Sequence, residues 1–169
     1  FLPLIGAVLV AVGLERLRPW RRGLRLDGLR WLHVGVLYLA SVILVRLLVP
    51  VSVAEASIDA AGAGIGVFNL VSVPLWLSVP ATVLALDFAD YARHWLQHRF
   101  GLLWRAHRVH HSDEHLDAAT ALRFHPFEVA LTVIGYLVVV GVFGAPVLGV
   151  AIHATLVILF DVWEHANIA

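Results

Sequence analysis

The chain carries ten histidines and no cysteine or methionine, and five of those histidines fall within residues 94–111. His94 and His98, in Tyr91-Ala92-Arg93-His94-Trp95-Leu96-Gln97-His98, are four apart, so on a helix they share a face and both imidazoles can reach one ion. His107, His110 and His111 follow after eight intervening residues with i, i+3, i+4 spacing, which predicts a second helical face bearing three imidazoles. So many imidazoles this close would repel one another if protonated, whereas neutral imidazole is the commonest biological metal ligand. The chemistry predicted is therefore metal binding through nitrogen. With no thiolate available, the site suits Fe, Zn, Cu or Ni, and a structural zinc knot of the cysteine type is excluded. Five or more histidines are too many for one tetrahedral ion, so two ions sharing ligands from different helices fit the count better.

Other polar residues can support or extend such a site. Asp90 lies four residues before His94, on the same helical face, where its carboxylate could orient an imidazole N–H; Asp87 could serve similarly. His125 precedes Pro126, which biases it towards an extended conformation just ahead of a helix. It reads as a support for the ligands, as a wall of the substrate entrance, or as a purely structural residue. His165 ends the last apolar run, as a ligand or as a satisfied interfacial histidine. His153 lies inside an apolar run, where an ionisable group raises a functional hypothesis; a neutral imidazole hydrogen-bonded to a neighbouring helix is the simpler account. His33 and His115 belong to neither grouping and read as interfacial or solvated. Trp76, Trp95, Trp104 and Trp163 read as anchors at a membrane interface.

The elements that must position these residues are membrane helices. Of the 169 residues 60% are hydrophobic and only 14% charged, far from a soluble composition. The length accommodates about four to five spans of roughly 20 residues plus one compact polar segment. The expected fold is all-α, a polytopic membrane helix bundle forming a single membrane domain over residues 1–169. Residues 1–92 supply the N-terminal transmembrane helices, 93–126 a His-rich cytoplasmic segment, and 127–169 a helical hairpin leading to His165.

Within that frame, Phe1–Leu14 is the end of a first span and Glu15–Arg30 a short connection broken by Pro19, Gly23 and Gly28. Residues 31–51 form a second span, with Arg46 snorkelling near its far end. Residues 52–69 form a far-side loop or interfacial helix, and residues 70–88 a third span with Pro74 and Pro80 as kinks. Residues 127–143 and 147–160 are a hairpin of two further spans around Gly144-Ala145-Pro146. All twelve basic residues are arginines, and eleven lie in two stretches: Arg16, Arg18, Arg21, Arg22, Arg25 and Arg30, then Arg93, Arg99, Arg105, Arg108 and Arg123. Arginine collects on the cytoplasmic side of spans, so both stretches, and the metal site with them, are expected to face the cytoplasm. Counting crossings, two out and two back, brings His94–His125 and His165 to that same side. The net charge is zero, which implies no nucleic-acid partner.

Together, His94-x-x-x-His98, His107-x-x-His110-His111-Ser112, the segment Thr120-Ala121-Leu122-Arg123-Phe124-His125-Pro126-Phe127-Glu128 and Trp163-Glu164-His165-Ala166-Asn167-Ile168 resemble the fatty acid hydroxylase and sterol desaturase superfamily. The resemblance covers roughly Leu86–Ala169. It implies an integral membrane, non-haem di-iron enzyme that hydroxylates or desaturates a lipid with O2 and electrons from an external donor protein. By motif position, His94, His98, His107, His110, His111 and His165 would be the metal ligands and the catalytic set, holding two Fe ions, with Zn able to replace Fe in a purified sample. The last histidine box of that superfamily falls beyond Ala169, and the chain opens inside an apolar run, so the expectation is a fragment inactive on its own.

Two other chemistries compete. A His-rich metal transporter or sensor would place its ligands near the bilayer midplane, whereas these boxes lie with arginines at a boundary. A zinc-dependent membrane hydrolase would usually carry a carboxylate base within the box, as in His-Glu-x-x-His, and neither box has one.

Overall fold

A computed structural model describes residues 2–21, 28–113 and 116–169. Phe1 of the first span, Arg22, Gly23 and Arg25 of the first arginine stretch, and His115 lie outside the described residues. Among the described residues eight α-helices follow in order: α1 (Leu2–Leu17), α2 (Gly28–Leu48), α3 (Val53–Gly62), α4 (Val67–Leu70), α5 (Leu75–Arg99), α6 (Gly101–His107), α7 (Pro126–Phe143) and α8 (Val147–His165). Single 3₁₀ turns occupy His110–Ser112 and Thr120–Leu122. The only pairing of extended backbone among the described residues is an isolated bridge between Pro19 and Ile168.

The fold is an all-α membrane helix bundle. α5 packs against both α7 and α8, α2 covers α7, and α1 lies along α8. α2 turns Leu32, Val36, Leu39, Ile43 and Leu47 outwards while burying Val34, Ser41 and Val45. Large aliphatic side chains outside with small and polar residues at the helix contacts is the arrangement lipid favours, since hydrocarbon solvates leucine and only close approach holds helices together. The α5–α8 contact shows this directly: a Cβ added to Gly149 would sit 2.7 Å from Thr82 Cβ.

Among the described residues, three stretches are long and apolar enough to cross a bilayer by length and composition, 28–70, 126–143 and 147–165. The described part of α1 has 16 residues, short of the roughly 20 a crossing needs. α5 interrupts its apolar run with Ser78, Thr82, Asp87 and Asp90.

The two ends of the bundle differ. At one end α3, which opens on a capping box between Ser52 and Glu55, packs beneath the α7–α8 turn, and Ser57 Oγ donates to Ala145 O. Of the loop and the interfacial helix expected for residues 52–69, the structure shows a helix over Val53–Gly62 that packs on α7 and α8. Gly144 closes α7 in the left-handed region (φ 65°) against Gly66 (φ 93°). A Cβ on Gly66 would stand 2.0 Å from Gly144 N, so only glycine permits that approach. Pro74 precedes the first turn of α5 and does not kink a helix.

At the other end gather the C-termini of α1, α5 and α8, the N-termini of α2 and α7, and all of α6. A polar clasp closes this end. The buried Glu15 accepts hydrogen bonds from Ala118 N and Asn167 N, both at 2.8 Å. These bonds explain why α1 continues to Leu17 through residues expected in a connection. Arg30 of α2 bonds Asp113, Asp117 (2.6 Å) and Thr120 Oγ1 (3.2 Å), fixing the segment that follows α6.

Candidate metal centre

α5 continues past its apolar half into the polar end of the bundle, so His94 and His98, one turn apart, present stacked rings with Nε2 atoms 3.0 Å apart. Phe100 then breaks the helix in an extended conformation, and α6 returns His107 towards them, its Nε2 3.2 Å from His98 Nε2. His111 closes the group with Nε2 3.1 Å from His107 Nε2. One ring nitrogen from each of His94, His98, His107 and His111 lies within 4.8 Å of all the others. The contacts of 3.0, 3.2 and 3.1 Å between successive rings are what neighbouring ligands of a single ion, each about 2.1 Å from it, present.

His107, His110 and His111 do not share one helical face. α6 ends at His107, and His110 begins a 3₁₀ turn, whose tighter winding sends adjacent residues to different sides. His110 therefore leaves the four-histidine group and meets His165 at the end of α8, Nε2 to Nε2 at 3.1 Å. The pair remains adjacent to the larger group, since the His110 ring centroid is 5.2 Å from that of His111 and 5.6 Å from that of His107. All six histidines expected as ligands thus assemble at one end of the bundle, as four plus two.

Two tautomers follow from the partners. His165 Nδ1 donates to Asp161 O at 2.7 Å, because a carbonyl can only accept, and its Nε2 lone pair is left facing His110. His107 Nδ1 lies 2.7 Å from Oε1 of Glu128, and Arg93 Nη1 donates to that same oxygen at 3.2 Å, keeping it an acceptor. The His107 Nε2 lone pair is thereby turned towards His98 and His111. Burial first, then the charge a protonated neighbouring histidine would add, lowers His94 and His107 to about 4 and His110 to about 3, and lowers His111. At neutral pH these imidazoles are free bases ready to ligate. The donor set therefore fits a nitrogen-liganded metal.

The remaining sequence expectations divide. Asp90 makes no bond to His94; its carboxylate takes the Tyr136 hydroxyl at 2.5 Å and Arg93 Nη2 at 3.4 Å, because it turns towards α7 and α8. Glu128, quoted in the motif but given no role, supports the ligand instead. The available signal was a carboxylate in the first turn of an otherwise apolar helix, where an unpaired charge is costly. His125 caps α7, its Nδ1 accepting from Phe127 N at 3.1 Å with Pro126 in the first turn. His153 is buried in α8 with Nε2 3.5 Å from Asp90 Oδ2, apart from the six histidines. His33 lies with Arg30 and Arg123 on the wall of a separate open cleft. Trp104, expected as an interface anchor, packs its ring 5.2 to 6.0 Å from those of His98, His107 and His111 and walls the cluster. Trp76 and Trp163 are exposed, as anchors would be.

A polytopic helix bundle with an all-histidine cluster at one end defines the class as an integral membrane protein whose polar end gathers a nitrogen donor set able to hold a metal. Residues 79–169, more than half the chain, match the fatty acid hydroxylase family, and the chain belongs to that family. It is also similar to the human alkylglycerol monooxygenase, 29% identical over 85 residues, which are 50% of this chain and 19% of that protein. The matched region thus spans about a fifth of that relative's length. No solved structure matches.

Proposed function

We propose that this chain forms the metal-binding core of an O2-dependent membrane oxidoreductase that hydroxylates or desaturates a lipid C–H bond. One observation carries the reading: four imidazoles from α5, α6 and the following turn converge, with a fifth and sixth adjacent. Family membership and the similarity to a monooxygenase support oxygen chemistry over simple ion transport. In this reading His94, His98, His107 and His111 hold one Fe and His110 and His165 contribute to a second. When bound, the two ions supply activation of O2 for hydrogen abstraction from an unactivated carbon.

The chain's own residues supply the surroundings. Glu128 holds His107, the Asp161 carbonyl holds His165, and both fix the tautomer that points Nε2 inward. Trp104 shields one side of the cluster from water. The outward aliphatic faces of the helices let a lipid approach from the bilayer, and the electrons come from a separate donor protein. The arginines at this end of the bundle support a site facing the cytoplasm, by the rule for short loops.

The test is metal analysis of the full-length natural protein in lipid nanodiscs, combined with product analysis under 18O2 using a panel of sterols, fatty acids and ether lipids. The expected result is bound Fe, and a product carrying label or a new double bond, both lost in a His107→Ala, His111→Ala double variant. Metal binding indifferent to those histidines would overturn the reading.

A further inference from the structure

Beyond the ligands, a line of polar groups runs from the metal cluster back between α5, α7 and α8. Glu128 Oε1, which holds His107, is itself met by Arg93 Nη1 at 3.2 Å. Arg93 is steadied by Gln97 Oε1 at 2.9 Å and by Asp90 Oδ1 at 3.4 Å. Asp90 in turn accepts from the Tyr136 hydroxyl at 2.5 Å, and His153 Nε2 stands 3.5 Å from the same oxygen. The Tyr136 and His153 rings meet edge to face, centroids 5.3 Å apart.

The arrangement has a direction. Glu128, Gln97 and His153 are at most 3% exposed, and a buried carboxylate is tolerable only with a counter-charge held in place. Arg93 is that counter-charge; Gln97 Oε1 and Glu128 hold its Nη1, and Asp90 takes its other Nη. Asp90 could swing about its own Cα–Cβ bond; the Tyr136 hydroxyl bonds it at 2.5 Å, and the His153 ring, set edge to face against Tyr136, stands beside the same oxygen and limits that swing. They sit in the apolar lengths of α7 and α8, where a hydroxyl and an imidazole are costly and mark a role. A purely packing role would be met by Phe and Leu.

We infer that Tyr136 and His153 are positioning residues for the metal centre, acting through Asp90, Arg93 and Glu128 to hold the His107 ring in its ligating orientation. The inference rests on the metal-binding reading above. It makes Tyr136 and His153, eight and twenty-five residues along the chain from Glu128, determinants of metal affinity without contact with the metal.

The test uses Co(II) as probe, with the full-length natural protein in nanodiscs, reading affinity by competition with a chelator and ligand geometry from the visible absorption bands. Tyr136→Phe, which removes one oxygen, is expected to weaken Co(II) binding about tenfold and alter the band envelope. In a Glu128→Gln background the same substitution should add nothing further, because the line is already cut. Tyr91→Phe, an exposed tyrosine adjacent to Asp90, should leave both readouts as in the natural protein. If Tyr136→Phe does not fold, His153→Gln carries the same expectation. An unchanged affinity and spectrum in the folded variant, or an undiminished effect in the Glu128→Gln background, overturns the inference. Failure of the natural protein itself to bind Co(II) through His107 would instead overturn the metal-binding reading, so the two failures are distinguishable.

Discussion

His107 and Glu128 face each other across the α6–α7 contact with Nδ1 and Oε1 2.7 Å apart, and both side chains are about 1% exposed. A ligand imidazole hydrogen-bonded to a buried carboxylate gains basicity and a fixed ring angle. Glu128→Gln keeps the shape but loses the charge, and it should lower metal affinity about 10- to 100-fold with the bundle intact. Glu128→Ala leaves Arg93 without its partner and should in addition destabilise the fold by about 3–5 kcal/mol. Chelator competition and thermal unfolding in detergent separate the two effects.

The same crowding that keeps the imidazoles neutral makes the metal-free protein sensitive to acid. The buried His107 is lowered from 6.5 to about 4 and the buried His110 to about 3, by burial first and by neighbouring charges second. Between pH 6.5 and 4 the unfolded chain therefore binds more protons than the folded one, so stability must rise with pH across that window. This contribution is complete above about 6.5 and lost as the pH falls through the folded values. Unfolding midpoints measured from pH 7 to pH 4 without metal should fall steadily, and His110→Asn should flatten the slope. A midpoint independent of pH would contradict the burial assigned to these rings.

The division of the histidines into four plus two predicts unequal consequences for their loss. His165→Ala removes half of the smaller pair and leaves His94, His98, His107 and His111 as they stand. Roughly half of the bound metal should be lost, because an ion with one fewer ligand is poorly retained while the four-nitrogen set is complete. His107→Ala removes the nitrogen that touches both His98 and His111 and should release more. Metal-to-protein ratios for the two variants decide the order.

Periodicity alone exposed the pairing of His94 with His98, because i and i+4 on a helix share a face whatever surrounds them. The same rule misplaced His110, since the sequence of α6 does not announce that its winding tightens after His107. The same rule sets Asp90 one turn before His94, while its carboxylate bonds Tyr136 and Arg93. A helix face is a property of local sequence, whereas the choice between His94 and Tyr136 depends on which neighbouring helix lies closer. Glu128 and Glu15 show what single-chain patterning misses: each gains its meaning from partners far away in sequence, His107 for one and Ala118 and Asn167 for the other. The membrane class was legible from composition, and α5, which mixes polar residues into an apolar run, is the element whose crossing composition reads least clearly.

Close helix contact, rather than apolar burial, should carry much of the stability of this bundle. A methyl group at Gly149 would press within 2.7 Å of Thr82 Cβ and 3.2 Å of Val79 O, neither of which can move without shifting α5. Gly149→Ala should therefore destabilise the protein by about 1–3 kcal/mol, the usual cost of overpacking a contact. Because α5 carries His94 and His98 while α8 carries His165, the same change should loosen metal binding. Gly141→Ala on α7 meets nothing within 4 Å and should be neutral or mildly stabilising, as alanine is the better helix former. Thermal unfolding of the two variants side by side tests the point: equal midpoints would mean that the α5–α8 contact is not tight.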